Sequence, residues 1–463
     1  MNQLNVGVDN LRAELIGAVQ DAVKIRSVQA APTPGMPFGP AVAEALDQAL
    51  VLSRRLGFRT VNVDGYMGYA EYGEGRDYVA AVGHLDIVPE GGGWTYPPYG
   101  GEIHAGKLFA RGALDDKGPI IAALYGLKAV KDSGLPLAKR VRILYGTNEE
   151  TGCDDAAYYL TKEPGPMAGF TPDGMFPVIY AEKGIFNCLI TRRLARPAAA
   201  AVYLKGLRGG ERPNIVPDAC QAVLVAPDPA GVIRACEVFA VQTGADISAS
   251  VRDGEVHIQS RGLAAHGSTP ELGVNAIMQL MACLGTCGLA GHQAEAVAAL
   301  NKYIGRETDG QSLGIALADE PSGDLTLNAG LIELTEDKIS LICNIRFPVT
   351  IKFDEVIEPL RQTLAAAGFE VNCDRPSDPL YFPRNHSLVT TLSRIFAEHS
   401  GTWAEPLAIG GGTYAKSLPN IVAFGPELPG QSTCAHEPNE CIGVDELVQC
   451  AKIYAQAIYE LAR

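Results

Sequence analysis

The chain has 463 residues, 47% of them hydrophobic, and a formal net charge of −15. That length suits roughly three domains, the apolar content excludes general disorder, and the acidic balance argues against nucleic acid and anionic membrane surfaces as partners. No apolar run approaches the ~20 residues a membrane-spanning helix needs. Met1 to Asn5 show no basic segment leading into an apolar stretch, so a cytoplasmic protein is expected. The 11 cysteines are odd in number and form no CxxC pair, which fits reduced thiols better than a disulfide framework. Cys283 and Cys287, four apart in a helical pattern, read as small buried side chains rather than as a metal or redox pair.

In chain order, Leu11, Leu15, Ile16, Val19, Val23 and Ile25 predict a helix over 10–28. Pro and Gly between Pro32 and Pro40 mark a loop. A second helix is expected over 42–56 and a strand over 60–63. Tyr78 to Val82 reads as a buried strand, and a strand pair follows around Ile103 and Leu108. Ile120, Ile121, Leu124 and Leu127 share one face of a helix over 117–130, and Val141 to Tyr145 is another strand. From about Gly184 strands gather at 186–191, 201–204, 219–225 and 255–260, with helices at 231–243 and 273–284. A second set follows, with strands at 325–333, 338–345 and 369–372 and a helix over 353–367, which suggests two small layered units. Helices over 386–399 and 445–463 and a strand over 421–424 then restore the alternating α/β texture. The expectation is an α/β domain (residues 1–183 and 378–463) interrupted by an inserted α+β domain (residues 184–377).

The chemistry gathers where apolar runs end. His84 and Asp86 follow one strand and share a face across Leu85, which lets Asp86 orient the imidazole. Asp115 and Asp116 precede the helix at Lys117. Asp116 suits an N-cap, while Asp115 is freer to bind a ligand. Glu149 and Glu150 end the strand at Tyr145, and Asp173 sits in a loop after Met167 to Phe170. One histidine with four or five carboxylates, all at strand or helix ends, points to divalent cations. His436 follows a loop, Gly410-Gly411-Gly412-Thr413, that offers backbone amides but lacks the lysine of a phosphate-binding loop.

Seven segments occur in order: GHLDIVPEGGGWTYPPYGGEI, GKLFARGALDDKGP, YGTNEETG, PDGMFPVIYAEKG, RGLAAHGSTPELGVNAI, GGGTYA and AHEPNE. Together they resemble the aminoacylase/carboxypeptidase-type dinuclear zinc exopeptidases, and within them the PepV-type, carnosinase-like dipeptidases. The match is dense over residues 78–184 and 408–441 and thin in the inserted region.

The resemblance implies two metal ions. His84 and Asp173 would hold one, Glu150 and His436 the other, with Asp115 bridging. It implies a cis Asp115–Asp116 peptide, Asp86 as the group orienting His84, and Glu149 as general base. The oxygen and nitrogen donors suit Zn²⁺, with Mn²⁺ or Co²⁺ as substitutes. From the inserted region, His266 would stabilise the oxyanion, while Asn214 and Arg346 would contact substrate, with Gly411 and Gly412 in the glycine loop. Asn148 stands where many relatives carry Asp, a change next to the site that removes no ligand. His104, His257, His292, His386 and His399 match no motif.

The implied function is hydrolysis of dipeptides by a monomeric cytoplasmic enzyme. One alternative keeps the scaffold but cleaves N-acyl amino acids, as deacylases and aminoacylases do. Another is a non-catalytic metal-binding protein. The Asp115-Asp116-Lys117-Gly118-Pro119 segment and the long two-part lid favour the dipeptidase. The intact Glu149 and the full ligand set oppose the non-catalytic reading.

Overall fold

Strands that end in charged residues need apolar flanks on both faces if they lie in the middle of a sheet. Tyr78–His84 meets that demand at every position, and Arg140–Gly146 at all but its first. The computed structural model describes residues 2–195, 201–335, 337–431 and 433–463. It divides into two compact units: Met1–Tyr180 with Phe382–Leu407 and Gly412–Arg463, and Ala181–Tyr381 with Ala408–Gly411.

The first unit opens with helices α1 (Asn2–Asn10), α2 (Arg12–Ala22) and α3 (Pro40–Arg55). Strands β1 (Arg59–Val63), β2 (Met67–Tyr72) and β3 (Tyr78–His84) follow, then the hairpin β4 (Glu102–His104) and β5 (Lys107–Phe109). Next come α4 (Lys117–Ser133), β6 (Arg140–Gly146), α5 (Asp154–Lys162) and β7 (Ala168–Thr171). The sheet order is β1-β2-β6-β3-β7, continuing to the strand Ile421–Ala423. β3 runs parallel to both β6 and β7, and β7 parallel to Ile421–Ala423. The ends of β3, β6 and β7 that carry His84, Glu149 and Asp173 therefore lie on the same edge of the sheet. Helix Val444–Ala462 packs along α4, and both bear on β3.

The second unit is an antiparallel sheet of eight strands with helices Pro229–Thr243, Ala276–Leu284, Gly291–Tyr303 and Phe353–Ala366. The two expected strand sets are one sheet. They interleave: Leu207–Gly209 of strand Tyr203–Gly209 pairs with Ile332–Leu334 of strand Thr326–Leu334, and strand Gly184–Arg193 lies between Lys338–Phe347 and Glu370–Cys373. Two separate layers would each leave an unpaired edge. Asn275 caps the helix expected from 273, accepting the Met278 amide at 3.1 Å, so that helix starts at Ala276.

Other local expectations shift. The helix expected over 10–28 is α2 and spans only Arg12–Ala22, while α1 forms ahead of it, where no element was expected. β2, α5, the strand Asp246–Arg252 and the helix Gly291–Tyr303 form where no element was expected. Asp246–Arg252 is an edge strand in which Ile247, Ala249 and Val251 alternate with polar residues. Among the described residues no helix is long and apolar enough to cross a membrane.

Candidate metal centre

Two glycines let the site assemble. A Cβ at Gly83 would lie 2.1 Å from Asp116 Oδ2, and one at Gly146 would lie 1.9 Å from the Tyr414 hydroxyl. Their absence lets the start of α4 and the turn at Tyr414 press against the ends of β3 and β6. Asp116 occupies the N-cap position of α4, but its side chain does not cap the helix. Its Oδ2 instead accepts the His84 amide at 3.2 Å. The Asp115–Asp116 peptide is cis.

His84 Nε2 stands 2.8 Å from Asp115 Oδ1 and 3.9 Å from Asp173 Oδ2. His436 Nε2 stands 2.9 Å from Asp115 Oδ2 and 3.2 Å from Glu150 Oε2. Two donor triads thus share one carboxylate, the donor atoms of each lying within 4.8 Å of one another. Two donors each about 2.0–2.2 Å from one ion stand no more than about 4.4 Å apart. The four separations of 2.8, 3.9, 2.9 and 3.2 Å lie inside that limit, and the donor set fits divalent cations in composition as well. Asp86, Asp115, Glu149, Glu150 and Asp173 converge on only two imidazoles, so the cluster carries surplus negative charge. A thiolate is absent from both triads.

Asp86 does its orienting differently from the expectation. His84 Nδ1 lies 2.9 Å from the Asp86 backbone oxygen, and the Asp86 carboxylate is 3.6 Å away. A backbone carbonyl serves as well as a carboxylate to fix a ligand imidazole. The carboxylate of Asp86 accepts the amides of Glu149 (3.2 Å) and Glu150 (3.1 Å), fixing the turn that presents both glutamates. Burial raises Asp86 to about 7, with Glu150 and Asp155 adding to the rise and His84 opposing it.

Burial also holds the Glu149 carboxyl well above the usual range, with Asp173, Glu150 and Asp115 adding to it against His84. Burial opposes charge on His436, yet its hydrogen bonds to Asp115 and Glu150 raise it to about 11. His84 is raised against its own burial by Asp115, Asp86 and Asp173. Burial opposes charge on Asp115 as well, but the two imidazoles hold it far below the carboxylate range.

Several supporting residues escaped the sequence reading. Asp155 Oδ2 accepts the Thr147 amide (2.6 Å), the Asn148 amide (3.1 Å) and the Tyr414 hydroxyl (2.6 Å). The buried pair Arg111–Glu440, 2.5 Å apart, ties the Asp115 segment to the His436 loop. Glu440 Oε1 accepts the amides of Leu114 (3.0 Å) and Asp115 (3.2 Å), and Arg111 donates to the His436 carbonyl at 3.0 Å. Glu440 lies inside the AHEPNE segment, the one signal that could have drawn attention to it. The Lys117 ammonium donates to the carbonyls of Ile25 (2.7 Å) and Ala22 (3.2 Å) at the end of α2, where helix carbonyls lack partners. Asn148 uses its side chain within the turn, donating to Thr151 Oγ1 (2.5 Å) and accepting the Asp154 amide (2.9 Å).

The candidates in the second unit form their own group. His266 is exposed, with Nδ1 2.6 Å from Ser268 Oγ, and Gly267 donates to the Asn214 carbonyl at 2.7 Å. Arg346 is 4% exposed and donates to Asn344 Oδ1 (3.0 Å) and the Gly410 carbonyl (2.5 Å). It has no carboxylate partner among the described residues, and burial alone lowers it to about 10. A Cβ at Gly410 would lie 2.7 Å from Ser268 Cβ, so the glycine loop runs close to the His266 loop. Gly411 is half-buried, while Gly412, exposed, belongs to the first unit.

A model of peptidase family M20/M25/M40 matches residues 80–460. A Bacillus subtilis (strain 168) protein named "Putative dipeptidase YtjP" is 39% identical over 463 residues, 99% of each chain. Among solved structures, human carnosine dipeptidase 1 superposes with a TM-score of 0.60 at 15% identity, over 100% of this chain and 98% of that one. The dipeptidase Dug1p of Saccharomyces cerevisiae gives 0.57 at 13% identity, over 99% and 98%. At such identities these two structures speak to the fold, which they share with this chain.

Proposed function

The chain belongs to peptidase family M20/M25/M40, and from that premise we propose that it is a dinuclear metal-dependent dipeptidase. The observation that carries the reading is Asp115, whose two oxygens face His84 at 2.8 Å and His436 at 2.9 Å. His84, Asp115 and Asp173 would hold one divalent ion, and Asp115, Glu150 and His436 the other. Nitrogen and oxygen donors suit Zn²⁺, and Mn²⁺ or Co²⁺ can replace it. Bound there, the ions would acidify a water and polarise the scissile carbonyl.

The remaining work falls to side chains. Glu149 takes the proton of the attacking water and delivers it to the leaving amine. Its carboxyl makes no hydrogen bond among the described residues, which leaves both oxygens available. His266 donates to the oxygen that becomes negative. Arg346 pairs in fork fashion with the terminal carboxylate of the dipeptide, with Asn214, Gly411 and Gly412 as further contacts. A buried guanidinium without an acid of its own supports that role. The name of the 39% identical relative supports dipeptides as the substrate.

The test is a kinetic series with added Zn²⁺ or Mn²⁺: a dipeptide, its C-terminal amide, its one-residue extension and an N-acetyl amino acid. The dipeptide should be fastest. Arg346→Ala should cost about 2–5 kcal/mol in kcat/KM, and Arg346→Lys should not restore it. His266→Ala should lower kcat by about 10²–10³-fold with metal content unchanged. Equal rates on all three peptides would remove the carboxylate clamp, and faster cleavage of the N-acetyl amino acid would turn the assignment to a deacylase.

A further inference from the structure

The 11 cysteines are all free thiols, and seven of them fall in three groups. Cys236, Cys283 and Cys287 cluster inside the apolar core of the second unit, all buried. Cys188 faces Cys373 across two antiparallel strands, and Cys188 is buried. Cys434 and Cys441 differ from both groups. Each is half-buried, and their sulfurs are 4.0 Å apart at the two ends of the loop that carries His436 and Glu440.

We propose that Cys434 and Cys441 form a reversible disulfide that controls the loop holding His436. The pair is poised for it. Cys434 Sγ lies 3.3 Å from both the amide nitrogen and the carbonyl oxygen of Cys441, so one loop end already rests on the other. A disulfide brings sulfurs to about 2.05 Å, so they must approach by about 2 Å.

The two ends are unequally held. Cys441 pairs with Phe109 in the strand Cys441–Gly443, and its neighbour Glu440 is locked to buried Arg111. Asn439 Oδ1 accepts the Thr95 amide at 2.7 Å, and the His436 carbonyl is held by Arg111. Adjustment therefore falls on Cys434, two residues before His436. His436 already has a left-handed backbone, φ 65°, a conformation with little room to absorb a change in its neighbours.

The oxidant is a low-molecular-weight disulfide such as oxidised glutathione. One protein thiolate attacks its sulfur and releases one small thiol. The second protein thiolate attacks the mixed disulfide and releases the other. The two protein thiols lose two protons and two electrons, and the small disulfide is reduced to two thiols. The coupling to metal rests on the proposed role of His436, whereas formation of the disulfide does not.

The test uses the metal-loaded full chain incubated with oxidised glutathione. Trapping of free thiols and peptide mass analysis should show Cys434 linked to Cys441, lighter by two hydrogens than the reduced form. After desalting, the oxidised protein should retain less metal than the reduced protein. Dipeptide hydrolysis should fall at least tenfold, and dithiothreitol plus metal should restore both. Cys441→Ser should bind metal and hydrolyse dipeptides as wild type does but resist oxidation, and Cys434→Ser should do the same. If one serine variant does not fold, the other and the wild-type mass analysis carry the test. Cys434 and Cys441 remaining as separate thiols would overturn the proposal. So would a disulfide that leaves metal retention and hydrolysis unchanged. A reduced protein that binds no metal would count against the dinuclear reading instead, with the peptide mass still deciding whether the disulfide forms.

Discussion

The two ends of β3 and β6 bury charge in opposite ways. At the Tyr78 and Arg140 end, Glu71 is bonded to Arg142 (2.7 Å), Arg140 (2.8 Å) and Arg59. Arg142 also donates to Glu163 (3.0 Å) and the Tyr159 hydroxyl (2.7 Å), and its guanidinium lies 4.0 Å over the Tyr69 ring and 4.4 Å over the Tyr78 ring. Two acids meet three arginines, and each acid has protein partners. At the His84 and Gly146 end, five carboxylates meet two imidazoles. Charge that the fold balances for itself serves structure, because burying it otherwise costs several kcal/mol per ion. Charge left in surplus at strand ends suits an external cation, which is the role proposed for this end.

Breaking the unbalanced end should have the largest effect. Chelation should abolish hydrolysis, and added Zn²⁺ or Mn²⁺ should restore it. Full activity in protein that elemental analysis shows to be metal-free would end the contrast between the two ends.

Next comes Glu149→Gln, which keeps size and polarity. It should lower kcat by about 10²–10⁴-fold while metal content stays near wild type. Glu150→Gln should instead weaken one metal. If Glu149→Gln loses metal and Glu150→Gln keeps it, the two roles are reversed.

The balanced end should respond in stability rather than chemistry. Glu71→Gln leaves Arg142 buried without its main partner and should cost about 3–5 kcal/mol in unfolding free energy, with metal content unchanged. Burial raises the Glu71 pKa, but Arg142, Arg140 and Arg59 outweigh it, so the group lies below its ordinary value of 4.5. Its stabilisation is therefore complete above the unfolded pKa and lost as pH falls through the lower folded value. Denaturant titrations of wild type and Glu71→Gln should converge on acidification. A gap that widens in acid would show that the carboxylate is not what the arginines hold.

The smallest effect belongs to Arg59→Ala. The Arg59 side chain is 64% exposed, and exposed pairs contribute about 0–1 kcal/mol. A loss above about 2 kcal/mol would mean that the outer arm of the network is as firmly held as the inner one.

Much of the candidate site was legible because several of its residues follow an apolar run: His84 ends β3, and Asp173 lies two residues past β7, whereas His436 follows none and was drawn in by the motifs. The motifs then assigned roles that spacing alone left open, such as base and ligand between Glu149 and Glu150. Tyr414 lies in the GGGTYA segment, but its pairing with Asp155 was not legible. The two lie 259 residues apart in sequence, and neither neighbourhood carries a sign of the other. The strand Asp246–Arg252 was legible as well, since Ile247, Ala249 and Val251 alternate with polar residues, a signal the sequence reading passed over.

The sequence by itself determined the chemistry available: which side chains can bind a cation, in what order they occur, and which apolar runs make strands and helices. These follow from neighbours a few residues away, through periodicity and turn residues. Only the tertiary structure decided which groups meet. His84 faces Asp115 across 31 residues, and Arg111 reaches Glu440 across 329. It also decided that the Asp86 carbonyl, and not its carboxylate, takes the His84 ring at hydrogen-bond distance. Such contacts are fixed to tenths of an ångström by strand register and by glycines that admit a neighbour. Neither is encoded in the few residues around the atom that makes the contact.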